Sequence, residues 1–389
     1  MTPVIIVGTG IAGYTIAREF RKLDTQTPLL LVTADDGCSY PKPLLSNALT
    51  KGKAADQIAM FDASTMESTL NTQIITHQTV RRIDPKTKAI IINNDRAISY
   101  KKLVLAVGAD PVRAPIVGDA ESEVLSINNL VDYTLFREKL TKAKHITLIG
   151  PGLIGCEFAN DLINSGFNVS IIGPDPYPMS SLLPERVAVD LKIAFAEAGV
   201  DWHLNLTASK INFCDHGYEL TLSNGEVIKT DLVVSAVGLR PNVGLAERSG
   251  LAVDQGIVTD NYLQTNQEDI FALGDCAQVA GHNLLYIAPI IAAAKALAKT
   301  LANSIGTLTA VNYPAMPIMV KMPSYPLVLA PPPSSCVTGN WHFEMAPAGR
   351  SGIKGLFLGE DNNLLGYALS CDMVNEKQAL TKQLPQLLP

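Results

Sequence analysis

The sequence predicts an α/β protein in which a strand, a glycine-rich turn and an amphipathic helix follow one another twice, before a separate α+β segment. The first unit opens at residues 4–7, an apolar β-branched run that leads into a turn with three glycines. The second opens at residues 145–149 and leads into a turn of the same spacing. From residue 313 onward, short β-rich runs and prolines replace this pattern. These observations predict two Rossmann-like dinucleotide-binding domains and a C-terminal α+β domain.

The first turn has the spacing that a bound dinucleotide requires. Gly8 allows the tight turn, Gly10 lets a pyrophosphate approach the backbone, and Gly13 lets the next helix pack closely on the strand. Ile11 and Ala12 begin that helix, whose free N–H groups and dipole favour phosphate. The turn stands between a strand and a helix, which is the context that supports a functional interpretation.

The second turn repeats this chemistry with Gly150, Gly152 and Gly155, and with Leu153 and Ile154 between them. Two complete turns in one chain are far less probable by chance than one. We therefore expect the chain to bind two nucleotides.

The strand after the second turn ends without the acid that usually binds an adenosine ribose. Gly173 and Pro174 stand there, with Asp175 one position further on. Residues 173–183 contain no basic side chain that could bind the 2′-phosphate of NADPH. The sequence therefore favours NADH over NADPH.

Two polar positions after the first unit are candidate ligands of a nucleotide. Asp35 follows the apolar residues 29–32 at the distance where an acid commonly binds a ribose. Asp36 is a second candidate, and both could instead belong to a solvated loop. Lys42 stands between two prolines that restrain the backbone, so it could point at a negatively charged cofactor atom or remain a surface lysine.

Later features add to the predicted site. Asp275 follows an apolar strand, in a Gly-Asp pair just before a predicted helix, and could accept hydrogen bonds from cofactor hydroxyls or be a plain turn aspartate. Pro289 opens an alanine-rich helix whose N-terminus could face an anionic cofactor edge. Lys321 is predicted within a strand over residues 318–321, where a charge reaches either a cleft or solvent. The chain is predicted to cross between domains where apolar strands end in small residues, at Ala106, Gly108 and Gly238.

Composition argues against several classes of protein. The net charge is −6, and no basic stretch could follow nucleic-acid phosphates. No run is long enough to cross a bilayer and no targeting segment is evident, so a cytoplasmic location is expected. The six cysteines form no C-x-x-C pair and no group with metal-ligand spacing, so we expect neither a metal site nor a disulfide framework.

These motifs resemble the flavoprotein reductases of the pyridine nucleotide-disulfide oxidoreductase superfamily, over the whole chain and with a glutathione-reductase-like architecture. The resemblance rests on the two glycine turns, on Ala106-x-Gly108, on Glu157 after the second turn, and on the run that ends at Asp275. It implies FAD bound by residues 1–110 and 241–310, NAD(P)H bound by residues 111–240, and a C-terminal interface and partner-docking domain over residues 311–389.

The resemblance also implies roles for single residues. Asp275 would hold the FAD ribityl chain, and Glu157 would lie near the nicotinamide. Lys42 would bond the flavin near N5, while Lys321 or the helix start at Pro289 would stabilise charge on the reduced ring. Lys42, Glu157 and Lys321 are therefore the predicted catalytic residues.

The cysteines indicate the branch of this superfamily. No redox disulfide is evident, and Cys38 lies on the wrong side of Lys42 to be the single reactive cysteine of NADH peroxidases and oxidases. Electrons should then leave the flavin directly for an external acceptor. The segment 40–46 is similar to that of the ferredoxin-, rubredoxin- and apoptosis-inducing-factor-like branch. Together with residues 284–286, 320–323 and 375–377, it looks closest to the bacterial rubredoxin reductases.

That resemblance implies hydride transfer from NADH to FAD and single-electron transfer to rubredoxin in a transient complex, supplying an alkane hydroxylase or an oxygen- or nitric-oxide-scavenging system. The alternative is the ferredoxin reductase of an oxygenase; a non-enzymatic flavoprotein is disfavoured by the missing basic patches. Rubredoxins are acidic, so a local basic rim is expected from Lys42, Lys51, Lys53 and Lys321. Relatives occur as monomers and homodimers, and both states stay open.

Overall fold

The first domain is built on a five-stranded sheet whose neighbouring strands are all parallel. The computed structural model describes residues 1–303, 306–333 and 338–388. Val4–Val7 lies in the middle of the sheet, with Val7 level with Val32 on one side and Leu105 on the other. In spatial order the strands are Ile270–Ala272, Lys102–Leu105, Val4–Val7, Leu29–Val32 and Gln73–Ile75.

Two helices pack together on this sheet. Ile11–Leu23 buries Ile16, Ala17 and Phe20 and contacts Ile287–Ala302 along its length. The alanines of the second helix allow this close approach because they add little bulk. The other elements of the domain are the helices Ala63–Leu70 and Gly244–Arg248, the 3₁₀ turns Lys42–Ser46 and Asn93–Asp95, and the strands Val80–Asp84, Ala89–Ile92, Ala97–Ser99, Ile257–Thr259 and Ala277–Val279.

The second domain repeats the plan with four parallel strands. His145–Ile149 lies between its two neighbours, and Ile149 pairs with Ile172 as Val7 pairs with Val32. The strands in order are Val200–Leu204, Asn168–Gly173, His145–Ile149 and Leu232–Ser235. Around them lie the helices Leu130–Leu140, Leu153–Ile163 and Glu185–Glu197, the 3₁₀ turn Glu121–Glu123, and the antiparallel strands Ala208–Cys214, Gly217–Leu222 and Val227–Thr230.

The two segments that connect these domains lie side by side. Ala109–Pro111 and Leu239–Pro241 form an antiparallel ribbon, with Leu239 opposite Pro111. The side chain of Asn242 donates to the carbonyl of Val107 at 3.0 Å and ties the ribbon to the first domain. The two predicted crossings therefore meet in one structural unit.

The C-terminal segment is a five-stranded antiparallel sheet followed by short helices. Its strands in order are Ile318–Val320, Leu327–Ala330, Leu364–Ser370, Ile353–Leu358 and Asn340–Met345. The sequence analysis missed the strand Asn340–Met345, although Trp341, Phe343 and Met345 alternate with polar residues in the period-2 pattern of a strand; it lies at the edge of the sheet and is mostly exposed. At the end of the chain, a 3₁₀ turn, Cys371–Glu376, precedes a short α-helix, Lys377–Thr381.

Candidate functional site

The first glycine of each turn adopts a backbone conformation that excludes other residues. Gly8 has φ +106°, and a Cβ there would lie 2.3 Å from the carbonyl oxygen of Ala106. Gly150 has φ +112°, and its Cβ would lie 2.5 Å from the carbonyl oxygen of Ala236. Each turn is thus pressed against the end of a neighbouring strand, and only glycine fits.

The other glycines divide into packed and open positions. A Cβ on Gly13 would lie 1.9 Å from the carbonyl oxygen of Gly8, so the helix packs directly on the turn. Gly155 repeats this contact at 2.0 Å in the second domain. In contrast, among the described residues nothing beyond the adjoining stretch of chain lies within 4 Å of a Cβ built on Gly10 or Gly152. This open space lies at the start of two helices, one that begins with Ile11 and Ala12 and one that begins with Leu153 and Ile154.

The small residues at the domain crossings lie beside the glycine turns. Ala106 is buried behind Gly8. Gly108 and Gly238 have φ of +69° and +122°, and both face open space. The structure thus brings the crossing segments to the same edge as the turns, where predicted cofactors would pass.

The structure places Asp35, rather than Asp36, against the first glycine turn. Its Oδ1 accepts hydrogen bonds from the Thr33 hydroxyl at 2.6 Å, the Gly37 amide at 2.9 Å and the Thr9 hydroxyl at 3.1 Å. Thr9 belongs to the turn itself, so Asp35 is fixed next to it. Asp36 is exposed and caps the amide of Cys38 at 2.9 Å. This geometry favours Asp35 as the predicted ribose ligand.

Asp275 and Lys42 lie close enough for their charges to interact. Gly274 has φ +80°, and its Cβ would lie 2.7 Å from the Cβ of Ala12, which brings Asp275 to the start of the first helix. Burial raises the pKa of Asp275, and the Lys42 ammonium opposes this shift. Burial lowers the pKa of Lys42, and the Asp275 carboxylate opposes that shift. The expected helix directly after Asp275 is wrong: the strand Ala277–Val279 comes first.

Asn128 holds Lys42 and was not recognised from the sequence. The Lys42 ammonium donates to Asn128 Oδ1 at 2.7 Å, and Asn128 Nδ2 donates to the carbonyl of Ala109 at 2.9 Å. A side chain of the second domain therefore positions the lysine of the first. The sequence does not indicate this pairing, because an asparagine just before a helix is most often interpreted as the N-cap of that helix.

Glu157 and Lys321 form a partly buried ion pair between distant parts of the chain. The Lys321 ammonium lies 2.5 Å from Glu157 Oε2, and Glu157 is 2% exposed. The Lys321 backbone amide also donates to Glu157 Oε1 at 3.0 Å. The Ser46 hydroxyl donates to Glu157 Oε2 at 2.7 Å, and the Lys321 ammonium donates to the Pro43 carbonyl at 2.9 Å. We call Ser46, Glu157 and Lys321 the three-domain cluster.

The prediction that Lys321 lies within a strand is wrong. The strand ends at Val320, so Lys321 begins the loop that follows, and its side chain reaches Glu157 in the second domain. Because the strand ends there, the charge need not lie in the sheet.

Asp161 strengthens the same junction one helical turn after Glu157. It accepts hydrogen bonds from the amides of Leu49 and Thr50 at 3.0 and 2.8 Å, and from the Thr50 hydroxyl at 2.6 Å. Sequence reasoning missed this residue. Two acids four positions apart on a largely apolar helix are the signal that could have identified it.

Pro289 lies in the first turn of its helix, which begins at Ile287, earlier than predicted. The next residue, Ile290, lies 4.0 Å from a Cβ built on Gly274. The helix start therefore neighbours the Gly-Asp pair, and the absent amide of proline costs nothing at this position.

The cysteines that the structure describes form no disulfide, and Cys38 is not activated. Burial, with the neighbouring Asp36, raises the pKa of Cys38 to about 11, which disfavours the reactive thiolate. Cys156 and Cys276 are buried, and all described cysteines are free thiols. Cys336 lies outside the described residues.

Residues 1–303, 306–333 and 338–388 hold neither a candidate metal site nor a candidate membrane-spanning helix. No group of three or more His, Cys, Asp or Glu side chains there could hold a metal ion. No helix of those ranges combines the length and apolar character that spanning a bilayer requires.

Comparison with known families matches nearly the whole chain. Residues 2–297 match the pyridine nucleotide-disulphide oxidoreductase family, and residues 310–384 match the rubredoxin binding C-terminal domain. The chain is 44% identical to a rubredoxin-NAD(+) reductase of Alcanivorax borkumensis, with all of both chains covered. It is 42% identical to one of Acinetobacter baylyi, covering 100% of this chain and 99% of that protein. A nitric oxide reductase FlRd-NAD(+) reductase of Aliivibrio fischeri is 33% identical over 98% of each chain.

Solved structures share the fold. The ferredoxin reductase for the CYP199A2 system of Rhodopseudomonas palustris has a TM-score of 0.87 at 23% identity, covering 99% of this chain and 96% of that chain. The covalent putidaredoxin reductase–putidaredoxin complex has the same TM-score and identity, covering 99% and 94%. The fold class and the family resemblance inferred from the motifs are thereby confirmed. The chain belongs to the pyridine nucleotide-disulphide oxidoreductase family.

Proposed function

We propose that this chain is an FAD-dependent NADH:rubredoxin oxidoreductase, which passes a hydride from NADH to FAD and then single electrons to rubredoxin. The observation that carries this proposal is the rubredoxin-binding domain matched at residues 310–384, behind two nucleotide-binding turns. The full-length relatives named as rubredoxin-NAD(+) reductases support it. The raised pKa of Cys38 also supports electron transfer that bypasses a reactive cysteine.

The residues of the first domain suit FAD. Gly10 leaves open space at a helix start for the pyrophosphate, and Asp35 beside Thr9 can accept a ribose hydroxyl. Asp275, which follows Gly274 beside the start of the first helix, would accept hydrogen bonds from the ribityl chain. A bound flavin would supply the chemistry, since it accepts a hydride and releases electrons singly.

The side chains around the proposed flavin position would bind and orient the cofactors. Asn128 fixes the Lys42 ammonium, so a cationic donor would stand beside the predicted flavin position without reorganisation. The Pro289 helix start would present its positive end to the same region. Glu157, held by Ser46 and Lys321, would bound the nicotinamide side of the cleft.

The three-domain cluster would connect the proposed nucleotide site to the proposed partner-docking domain. Lys321 comes from the segment that matches the rubredoxin-binding family, whereas Glu157 follows the second glycine turn. An acceptor docked near Lys321 would therefore approach the predicted flavin edge. Exposed Lys51 and half-buried Lys53 remain candidates for the basic rim, while Lys42 is turned inward onto Asn128.

NADH rather than NADPH is the proposed reductant, because the loop after residue 173 lacks a basic side chain for a 2′-phosphate. The electrons would supply an alkane hydroxylase or an oxygen- or nitric-oxide-scavenging system; the relative named as a nitric oxide reductase FlRd-NAD(+) reductase supports the last of these.

Anaerobic rapid mixing tests the proposal. The FAD-loaded protein is mixed with NADH and then with oxidised rubredoxin, and the flavin and iron–thiolate absorption bands are followed. We expect both bands to bleach in sequence. A flavin that NADH reduces but that leaves rubredoxin oxidised would overturn the proposed acceptor while leaving the hydride step intact.

A further inference from the structure

The two edges of the C-terminal sheet differ in how well they are protected against pairing with another strand. One edge is the three-residue strand Ile318–Val320, which Pro317 precedes and the ion-paired Lys321 follows. The other is Asn340–Met345, with six residues, no proline or lysine, and an unbroken register with its neighbour. No described strand pairs with its outer side, which we call the open edge. Natural sheets usually blunt such edges, so this one is a candidate pairing surface.

The backbone hydrogen bonds define which groups of this strand are free. The Ala346 amide donates to the Gly352 carbonyl at 2.9 Å, in the register that the strand keeps with Ile353–Leu358. Antiparallel strands exchange such bonds at every second residue, so the even-numbered residues of the strand bond inward. The residues whose amides and carbonyls point out at the open edge are Trp341, Phe343 and Met345.

The same three residues form an apolar face beside a groove. The rings of Trp341 and Phe343 stack with their centroids 6.2 Å apart. Phe343 is 38% exposed and Met345 is 58% exposed. The groove has a volume of about 1010 Å³, and its other wall is the helix Glu185–Glu197, on which Ile193 is 53% exposed. An apolar surface of this kind next to an unpaired edge indicates an interface.

The opposite face of the strand is charged and gives the pairing its register. His342 and Glu344 lie on this face, and Glu344 Oε2 lies 2.6 Å from the ammonium of its cross-strand neighbour Lys354. An imidazole N–H can donate a hydrogen bond to a carboxylate, so the strand carries one donor and one acceptor two residues apart. A second copy of the same strand, running antiparallel, offers the complementary order.

One register satisfies both the backbone and the charges. A two-fold axis at Phe343 pairs all three residues that have outward backbone groups, and it sets His342 of each copy opposite Glu344 of the other. Moving the axis by one residue would instead set His342 or Glu344 opposite itself. Residue pairs that exchange no backbone bonds have the closest side chains, and the His342–Glu344 pairs fall at such positions.

We propose that the open edge is a dimerisation surface, through which a second copy of this chain joins the two five-stranded sheets about a two-fold axis at Phe343. In this register Trp341 of one copy lies opposite Met345 of the other, so the apolar faces continue across the axis and extend the wall of each groove. One short strand from each copy gives an interface at the small end of the size range, so the dimer is weak and concentration-dependent. The proposal does not depend on the proposed function.

Sedimentation velocity of the full-length, FAD-loaded protein tests the dimer, from low micromolar to submillimolar concentration. We expect the wild type to shift from monomer to dimer over this range. His342→Glu should raise the dissociation constant roughly tenfold, because two like-charge pairs replace two complementary ones. His342→Glu/Glu344→Lys should recover most of the affinity, and Lys354 keeps Glu376 at 3.1 Å as a partner in that variant. His216→Glu, at an exposed turn of the second domain, is the matched control.

Cysteine cross-linking tests the register. In the Phe343→Cys variant the two new cysteines meet at the axis with Cα atoms about 5.5 Å apart, within the range of a disulfide. In Met345→Cys the two new cysteines are four residues out of register, about 13 Å apart. Mild oxidation should therefore give a covalent dimer of Phe343→Cys but not of Met345→Cys. Wild-type protein, treated in the same way, measures cross-linking through its own cysteines.

A wild type that stays monomeric over the whole concentration range would overturn the proposal. An unchanged dimer in His342→Glu, or equal cross-linking of the two cysteine variants, would also overturn it. If the wild type is monomeric and His342→Glu raises the KM for rubredoxin, the open edge meets the redox partner and not a second copy. Circular dichroism and FAD content identify the variants that fold. Reduction of ferricyanide by NADH should be the same in His342→Glu and wild type, so failure of the dimer leaves the proposed function standing.

Discussion

Substitution of Lys321 by methionine tests whether the three-domain cluster holds the domains together. The change removes the ammonium that lies 2.5 Å from Glu157 Oε2 and keeps most of the aliphatic volume. Glu157 is 2% exposed, so its carboxylate cannot recover full hydration. Its bonds from the Ser46 hydroxyl and the residue 321 amide remain.

The expected loss follows from these contacts. Removing one partner of a fully buried pair costs about 3–5 kcal/mol. The Lys321 side chain is 31% exposed, so solvent already weakens the pair, and two hydrogen bonds persist. We therefore expect Lys321→Met to lower the free energy of unfolding by about 2 kcal/mol, within the range for a charge-assisted hydrogen bond.

A double-mutant cycle isolates the interaction. Unfolding in urea is followed by circular dichroism for Lys321→Met, Glu157→Gln and the double variant, with the exposed Lys382→Met as control. In the Glu157→Gln background, Lys321→Met should cost less, because no buried charge is left unpaired. The coupling energy should be about 1.5 kcal/mol. Additive effects, with a coupling near zero, would refute the inferred ion pair.

Three other perturbations give distinct results. Gly10→Ala should leave the apoprotein stable but abolish FAD binding, because its methyl group would enter the open space that the cofactor is proposed to occupy. Gly13→Ala should instead destabilise the apoprotein by about 1–3 kcal/mol through overpacking. Thermal melts measure the stability of the two variants, and flavin content measures their FAD binding. Burial raises the pKa of Asp275 in the folded state. The neutral form of Asp275 therefore contributes fully to stability below the pKa of the unfolded state, about 3.9, and this contribution is lost as the pH rises through the pKa of the folded state. The Asp275→Asn apoprotein should hence melt higher than wild type at neutral pH and converge with it in acid, while retaining FAD less tightly; an equal melting difference at every pH would contradict this. Rubredoxin reduction should slow as salt rises, and replacing Lys51 and Lys53 by glutamine should flatten that dependence; a flat wild-type profile counts against the basic rim.

The sequence predicts the glycine turns because their constraints are local. Gly8 needs a positive φ, and Gly13 packs on the residue that begins its own turn, so the spacing alone carries the geometry. The apolar runs likewise predict the buried parallel strands. The choice between Asp35 and Asp36 needed the structure, because only contact with Thr9 distinguishes two adjacent acids.

The long-range pairings were beyond the sequence. Lys321 and Glu157 are far apart in the chain, and nothing in either local pattern indicates that they meet. The same holds for Lys42 and Asn128. Packing also explains why residue 173 is a glycine and not an acid. A Cβ on Gly173 would lie 2.1 Å from Cδ of Pro151, which belongs to a different strand–turn connection. Pattern reasoning finds the elements, but contacts between them depend on topology.

The ratio of kcat/KM for rubredoxin to that for a two-iron ferredoxin, with NADH as reductant, tests the central claim most directly. The proposed function predicts a ratio well above one, at least roughly tenfold, since binding energy should be specific to the docked partner. A ratio below one would contradict the account and would place this chain among ferredoxin reductases, with the fold and the hydride step unchanged.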